Sequence, residues 1–192
     1  MIGASTTVFD VRTQLREATQ DAHQRVDHLF SQFDFAQPSS YRRVLRAFAR
    51  VVPVLEESLE GQKVWTGWKP RSPLIASDLT NMAEVMPEPF GFKPPNFDAS
   101  TWAVQYVLEG SRLGGRVLVR RVGDGLPKAY LGAFLAAPDW RQFQAELKAQ
   151  ADNHDSSWVD TAIDVTRLAF GLFERAAARE LATSMPMHMQ YS

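Results

Sequence analysis

Three glycines stand close together in residues 106–121, YVLEGSRLGGRVLVRR, although the apolar spacing of this segment predicts a helix. Glycine in a helix interior costs about 0.8–1 kcal/mol relative to alanine, so the pattern needs a reason. Because a helix turns by about 100° per residue, the segment forms one strip of small residues: Gly110, Ser111, Gly114 and Gly115. A flat ligand could lie almost against such a backbone. A close crossing with another helix is the alternative that the spacing leaves open.

A ligand plane also needs a group from elsewhere in the chain, and His23 is the histidine whose neighbours suit that task. It borders the apolar stripe of a helix predicted over 10–32, with Thr19 and Arg16 one and two turns earlier on nearly the same face. An imidazole that binds iron, with a guanidinium about 10 Å away for a peripheral carboxylate, suits haem. An ordinary amphipathic helix with both residues at its border is the alternative reading.

The sequence lacks the residues that several other kinds of catalytic site require. The chain has no cysteine, no Gly-x-x-x-x-Gly-Lys-Ser/Thr phosphate loop and no Gly-x-Ser-x-Gly nucleophile elbow. No glutamate stands three residues before a histidine, as a di-iron bundle would require. His23 and Asp27 could form half of a metal site, but the sequence offers no other half, so we interpret the pair as a local surface contact.

The composition predicts one soluble domain. The 192 residues are 45% hydrophobic, and the formal net charge of -1 gives no attraction to nucleic acid or to an anionic membrane. The absence of cysteine, of a signal peptide and of a long apolar run leads us to expect a cytoplasmic protein. We predict an N-terminal extension over 1–9, a single helical domain over 10–183 and a flexible tail over 184–192.

Helical periodicity runs through almost the whole chain and no segment alternates as a strand, so the predicted fold class is all-α. A helix should begin at Pro38 and end at Gly61, and Pro53 should kink or divide it. The central helix should begin with Asp98 or Ser100 as its cap. The further predicted helices are 75–86, 98–123, 127–137, 139–153 and 156–182.

Two of these segments together resemble one known family. LREATQDAHQRVD, residues 15–27, is similar to the proximal-helix motif of haem oxygenases. YVLEGSRLGGRVLVRR is similar to the distal-helix motif of their bacterial branch, which is found with bacterial phytochromes. YRRVLRAFARVVPVLEESL, GLP and WRQFQAEL also stand in the order of the family, so the resemblance spans most of the chain.

The resemblance implies a multi-helix fold that holds haem between a proximal and a distal helix. It implies that His23 is the iron ligand, that the glycines let the distal backbone lie over the porphyrin, and that Arg16 lies near a haem propionate. Arg167, from the last long helix, is a second candidate for that propionate. The predicted haem-binding set is therefore His23, Arg16, Thr19 and Arg167, and the predicted catalytic set is Gly110, Ser111, Gly114 and Gly115.

The resemblance also implies an activity. Haem oxygenases oxidise haem with O₂ and electrons to biliverdin, carbon monoxide and ferrous iron, so that haem is both substrate and cofactor. The chain has no NAD- or flavin-binding fingerprint, so the electrons must come from a separate donor, such as a ferredoxin or a flavin reductase. A bacterial phytochrome is the candidate acceptor of the biliverdin.

One residue departs from the better-known members of the family. They carry a carboxylate after the first glycine of the distal motif, where it organises water, whereas this chain has Ser111. The phytochrome-associated branch also lacks that carboxylate. Arg112 or Arg116 could organise the water instead, although solvent exposure is the simpler expectation for both. A non-catalytic relative that binds haem or a partner for sensing is the alternative function. A haem-free helical interaction protein is a third.

Overall fold

The computed structural model describes residues 10–95 and 97–183, and these residues form helices and no strand. The predicted extension 1–9 and the predicted tail 184–192 lie outside the described residues. No helix in the described ranges is long and apolar enough to cross a membrane. The helices are α1 Val11–Ser31, α2 Pro38–Ala49, α3 Val52–Glu57, α4 Ser72–Asn81, α5 Asp98–Leu118, α6 Ala129–Gly132, α7 Ala137–Ala151 and α8 Ser156–Ala182, with a 3₁₀ turn Val119–Arg121 after α5.

The last helix, α8, lies at the centre of the packing. It contacts α1, α5 and α2, and α1 packs against it along much of its length. The face of α8 that turns inward carries small residues such as Ala162, Ala169 and Ala176, which are fully buried and let neighbouring helices approach closely. This packing fixes α1 and α5 relative to each other.

The first and last long helices match their predicted ranges closely. Asp10 caps α1 by accepting a hydrogen bond of 3.0 Å from the Arg12 backbone N–H, and Asp155 caps α8 in the same way through Ser157, also at 3.0 Å. The predicted division at Pro53 is confirmed, because α2 ends at Ala49 and α3 begins at Val52.

The fourth helix begins and ends earlier than the predicted range 75–86. Its start is held by the Glu56 carboxylate, which accepts hydrogen bonds from the backbone N–H groups of Arg71 at 2.6 Å and Ser72 at 3.1 Å. Its end follows from Ala83, whose φ of 57° lies in the left-handed region and stops the helix. Neither cause can be read locally, since the cap comes from a distant part of the chain.

The central helix and its successor are both shorter than predicted. Asp98 is the first residue of α5 and not its cap; its carboxylate accepts a hydrogen bond of 3.1 Å from the Trp158 indole N–H. Ser100 is buried inside the helix. Of the helix predicted over 127–137, only the turn α6 forms, and its first N–H groups donate to the Asp78 carboxylate at 3.0 and 2.8 Å.

Candidate functional site

A cavity of about 560 Å³ opens between α1 and α5. Small-molecule sites usually measure about 300–1,000 Å³, so its size suits a bound ligand. Apolar and aromatic side chains from α1, α2, α5, α6, α7 and α8 make most of the wall. The aromatic residues in it are Phe30, Phe48, Tyr106, Tyr130, Trp140, Phe170 and Phe173.

Two of the three glycines of α5 border this cavity and leave room beside the helix. A Cβ atom built on Gly114 would meet no heavy atom within 4 Å, and one built on Gly110 would only reach the Trp140 ring at 4.0 Å. Both glycines line the cavity. At these two positions the strip of small residues therefore faces open space and not a crossing helix.

Gly115 has a different surrounding from its two neighbours in the motif. It is buried, and a Cβ atom there would lie 3.1 Å from the carbonyl oxygen of Leu131. It does not belong to the cavity wall. Here the missing side chain permits a close approach between α5 and α6.

We expect Gly115→Leu to destabilise the fold. Forcing a side chain against the Leu131 carbonyl should cost about 1–3 kcal/mol, partly offset by the better helix propensity of leucine. The change should appear as a lower Tm of the ligand-free protein. The matched control is Gly171→Leu on α8, where a Cβ meets nothing within 4 Å; a Tm as high as that of the control would contradict the packing role of Gly115.

His23 lies in the wall across the cavity from the α5 glycines, on the α1 side. Its ring meets Phe170 edge to face, with centroids 5.6 Å apart. Nδ1 lies 3.1 Å from Oδ2 of Asp27, one turn later on the same helix, and both side chains are exposed. A hydrogen bond from Nδ1–H to that carboxylate would leave the lone pair on Nε2, the atom that a neutral imidazole offers to a metal.

The other three residues of the predicted haem-binding set lie outside the cavity wall. Thr19 is buried, and its hydroxyl donates to the Leu15 carbonyl at 2.6 Å, within its own helix. Arg167 is about half exposed and donates from Nε to the Ala18 carbonyl at 3.2 Å. Arg16 is exposed, and its charge acts on Tyr106, which does line the cavity; burial raises the pKa of Tyr106 and Arg16 opposes that rise.

Ser111 lies in the cavity wall, but neither neighbouring arginine of the motif accompanies it. Arg112 donates to the buried Glu109 carboxylate at 2.8 Å and to the Ala133 carbonyl at 3.3 Å. Burial raises the pKa of Glu109, and the charge of Arg112 counteracts the rise. Arg116 is exposed. The guanidinium that reaches Ser111 is that of Arg71, whose Nη2 lies 2.7 Å from the serine Oγ.

Three residues of this site escaped the sequence analysis. Asp27 was interpreted as a surface contact of His23, and the signal that could have singled it out is the four-residue spacing from a candidate ligand. Arg71 and Tyr130 carried no local signal, because the first lies 40 residues before Ser111 and the second stands in a segment predicted only as a helix. Long-range packing alone brings Tyr130 into the cavity wall and Arg71 behind that wall, against Ser111.

The residues present suit a flat ligand that carries its own iron. Among residues 10–95 and 97–183, no group of three or more histidine, cysteine or carboxylate side chains could hold a metal ion. The open strip at Gly110 and Gly114 and the aromatic wall leave space for such a group, and His23 in the same wall is the side chain that could bind its metal.

Known proteins resemble this chain in sequence and in fold. The curated protein named heme oxygenase from Xanthomonas campestris pv. campestris (strain 8004) is 36% identical over 121 residues, 57% of this chain and 72% of that protein. The crystal structures of the NO- and CO-bound heme oxygenase from Neisseria meningitidis share the fold with a TM-score of 0.72, 18% identity, and coverage of 95% of this chain and 99% of that one. The second likeness confirms the predicted all-α fold class. No protein-family model matches the chain.

Proposed function

Because this chain belongs to the haem oxygenase family, we propose that it oxidises haem, in the cavity between α1 and α5, to biliverdin, carbon monoxide and ferrous iron. The observation that carries the proposal is that His23, Gly110 and Gly114 line one cavity although they come from distant parts of the chain. Bound haem supplies the iron that takes up O₂ and the ring carbon that is oxidised.

His23 would hold the iron through Nε2. The carboxylate of Asp27 orients the imidazole from the other side of the ring, and the edge of Phe170 limits its rotation. A thiolate ligand pushes electron density onto the iron and so favours O–O cleavage. A neutral histidine is a weaker electron donor. The proximal side of the site therefore binds and orients its ligand without promoting that cleavage.

Gly110 and Gly114 would let the distal helix lie close over the ring. With no side chain at either position, the backbone of α5 itself would limit the space on that side of the bound haem. The aromatic side chains in the wall would give the bound ring an apolar surface to pack against. Steric confinement is the contribution that we assign to these glycines.

The propionates of haem need cationic partners, and we assign them to Arg16 and Arg167. Both side chains are exposed on the edge of α1 and α8, and Arg16 acts electrostatically on Tyr106 in the cavity wall. The arginines need not be buried to bind the propionates, because exposed guanidinium groups can rotate towards a carboxylate.

The reaction also needs partners that the chain does not contain. We propose a separate electron donor, a ferredoxin or a flavin reductase, because no dinucleotide-binding fingerprint occurs in the sequence. A bacterial phytochrome would accept the biliverdin. The absence of cysteine agrees with a cytoplasmic location, which we propose on that ground.

An aerobic absorbance time course tests the proposed function. The hemin-loaded protein receives a chemical reductant, and a Soret band that decays to a biliverdin spectrum is the expected result. A Soret band that persists through the experiment would identify a haem-binding protein without turnover. Failure to form a specific band would contradict haem binding altogether.

Asp27→Ala should weaken the site without removing the ligand itself. Loss of the partner that orients a metal-bound histidine typically reduces metal affinity or activity by about 10–100-fold. We expect a reduction in that range in haem affinity or in the rate of biliverdin formation. Asp21→Ala, an exposed change on the same helix outside the cavity, is the matched control; equal behaviour of the two variants would show that Asp27 has no orienting role.

A further inference from the structure

A second cavity of about 750 Å³ lies between α3, the start of α5 and residues 87–95, a segment without helix that we call the strap. Its volume falls within the range of about 300–1,000 Å³ that is usual for small-molecule sites. No residue of its wall belongs to the wall of the cavity between α1 and α5. An inference about this second cavity therefore does not rest on the proposed function.

The strap is held in place by a buried arginine that follows α2. Arg50 is 6% exposed, and its Nη1 donates to the Glu88 carbonyl at 3.0 Å, while the backbone N–H of Phe90 donates to the Arg50 carbonyl at 2.9 Å. The buried carboxylate of Glu180 fixes Arg50 in turn by accepting from its Nε at 2.8 Å. Because this side of the wall is already ordered, a ligand loses less free energy in binding there.

A buried serine hydroxyl in the wall of the second cavity has no hydrogen-bond partner. Ser100 stands in the first turn of α5, lines the cavity and is 3% exposed. Its Oγ makes no hydrogen bond within residues 10–95 and 97–183. Native proteins satisfy most of their buried polar groups, so this oxygen is available to a ligand that can donate to it.

The charged side chains of the wall favour a positively charged ligand. Glu57 and Glu88 contribute two carboxylates and Lys93 contributes one ammonium group, and all three residues are exposed. None of these three charged groups forms an ion pair within the described part of the chain. The positive end of the α5 dipole acts in the opposite direction, but the first two residues of that helix do not line the cavity. The wall therefore attracts an organic cation more than an anion.

Phenylalanine rings supply an apolar surface that also suits a cation. Phe90 already binds cations on the protein itself, because the guanidinium carbon of Arg175 lies 4.0 Å from its ring centroid and that of Arg50 lies 6.0 Å away. Phe92 and Phe97 lie in the same wall, with no cation or second ring against them among the described residues. Phe97 is 62% exposed. These two rings can therefore pack against a ligand.

We propose that the second cavity binds a small organic cation with an apolar body, of the arylalkylammonium class. The apolar body packs against Phe92 and Phe97. The ammonium group donates to Ser100 Oγ and is attracted by the carboxylates of Glu57 and Glu88. A primary ammonium group has three N–H donors, so it can satisfy the serine and still face a carboxylate.

Three probes of similar size test the charge of the ligand: 2-phenylethylammonium, 2-phenylethanol and phenylacetate. Each is titrated into the full-length protein at pH 7 while the backbone amide chemical shifts are followed by NMR. We expect the ammonium probe to bind about tenfold more tightly than the alcohol, because hydrogen bonds made by a charged group are the stronger ones, and more tightly than the anion. Its shifts should concentrate at residues 88–93 and 100–101. If the alcohol or the anion binds equally well, or if no probe binds at this wall, the inference is wrong.

Substitutions in the wall test the individual contacts. Ser100→Ala should raise the Kd of the ammonium probe by about tenfold, and Glu57→Gln and Glu88→Gln should each raise it by about two- to fivefold. The matched control is Glu60→Gln, because Glu60 is an exposed residue close to Glu57 but outside the wall. Its Kd should equal that of the wild type. Wild-type affinity in all three wall variants would overturn the inference.

The stability of Ser100→Ala separates ligand binding from a structural role of this serine. The substitution removes a hydroxyl without a partner and places alanine in a helix, so the Tm of the ligand-free variant should equal or exceed that of the wild type. Weaker binding together with an unchanged or higher Tm is the expected result. A clear fall in the Tm would show that the hydroxyl is bonded within the protein and would overturn the inference.

Discussion

Replacing His23 by alanine is expected to remove the axial imidazole signature of the haem-loaded protein and to lower the rate of haem oxidation by more than about 100-fold. Loss of a group that merely orients a metal-bound histidine already costs about 10–100-fold, so loss of the ligand itself should exceed that range. Among residues 10–95 and 97–183, no other histidine lines the cavity, so we expect no second imidazole from this part of the chain to take over.

The fold should tolerate this substitution. The His23 side chain is 59% exposed and contacts Asp27 and the edge of Phe170, so its removal leaves no buried gap. Exposed substitutions usually change stability by no more than about 0.5 kcal/mol. A loss of turnover can then be attributed to the missing ligand and not to unfolding.

The measurement compares absorbance spectra and aerobic time courses of wild type, His23→Ala and His28→Ala. His28 lies on the same helix, is exposed and stands outside the cavity, which makes it the matched control. Free imidazole should restore part of the signature in His23→Ala. If His23→Ala keeps the wild-type spectrum and rate, the iron ligand is a residue other than His23.

A helix boundary could be predicted where a residue next to it in the sequence caps the helix, and could not where the cap comes from a distant residue. Both ends of α8 could be predicted because Asp155 provides a local cap and the apolar period continues unbroken from there. The start of α4 could not, since the carboxylate that holds it belongs to Glu56. The shortness of α6 has the same kind of cause, because Asp78 satisfies its first N–H groups.

The candidate site divides in a similar way. The sequence indicated His23, Gly110 and Gly114, since helical spacing is enough to place each on a face and the two motifs select the faces that meet. It grouped Gly115 with them because the strip spans a broad angle, but one edge of that strip packs against Leu131. The orientation of a strip relative to its neighbours depends on tertiary packing, which spacing does not contain.

The polar wall behind Ser111 depends most strongly on tertiary structure. Arg112 and Arg116 stand in the motif itself, and solvent exposure was the simpler expectation for both. Arg116 is exposed, whereas Arg112 is paired with the buried Glu109. Arg71 reaches Ser111 from the start of α4. The predicted start of α4 was three residues too late, so Arg71 was not recognised as lying at the start of this helix, and its contact with Ser111 could not be inferred.

Gly114→Leu is expected to raise the stability of the haem-free protein and to impair haem binding at the same time. A Cβ atom at position 114 meets nothing within 4 Å, so the ligand-free fold has room for the new side chain. Replacing a helical glycine should add about 0.8–1 kcal/mol to the free energy of unfolding. For a domain of this size, that corresponds to a Tm higher by about 2–4 °C.

The same side chain would occupy the space that we assign to the haem. Overpacking of a fitted contact costs about 1–3 kcal/mol, which weakens haem affinity by about 5–150-fold. Haem that still binds would be displaced from the distal backbone, so the oxidation should slow or change its position on the ring. Hemin titration, thermal unfolding and product analysis measure the three effects.

Gly171→Leu separates the two consequences of adding a side chain. Gly171, like Gly114, is an exposed helical glycine with open space where a side chain would stand. It lies on α8 and outside the cavity. The control should show a similar gain in Tm with unchanged haem affinity. If Gly114→Leu matches this control in both Tm and haem affinity, the distal backbone does not lie over the ring. If Gly114→Leu alone combines a higher Tm with a lower haem affinity, the glycine serves ligand binding at the expense of helix stability.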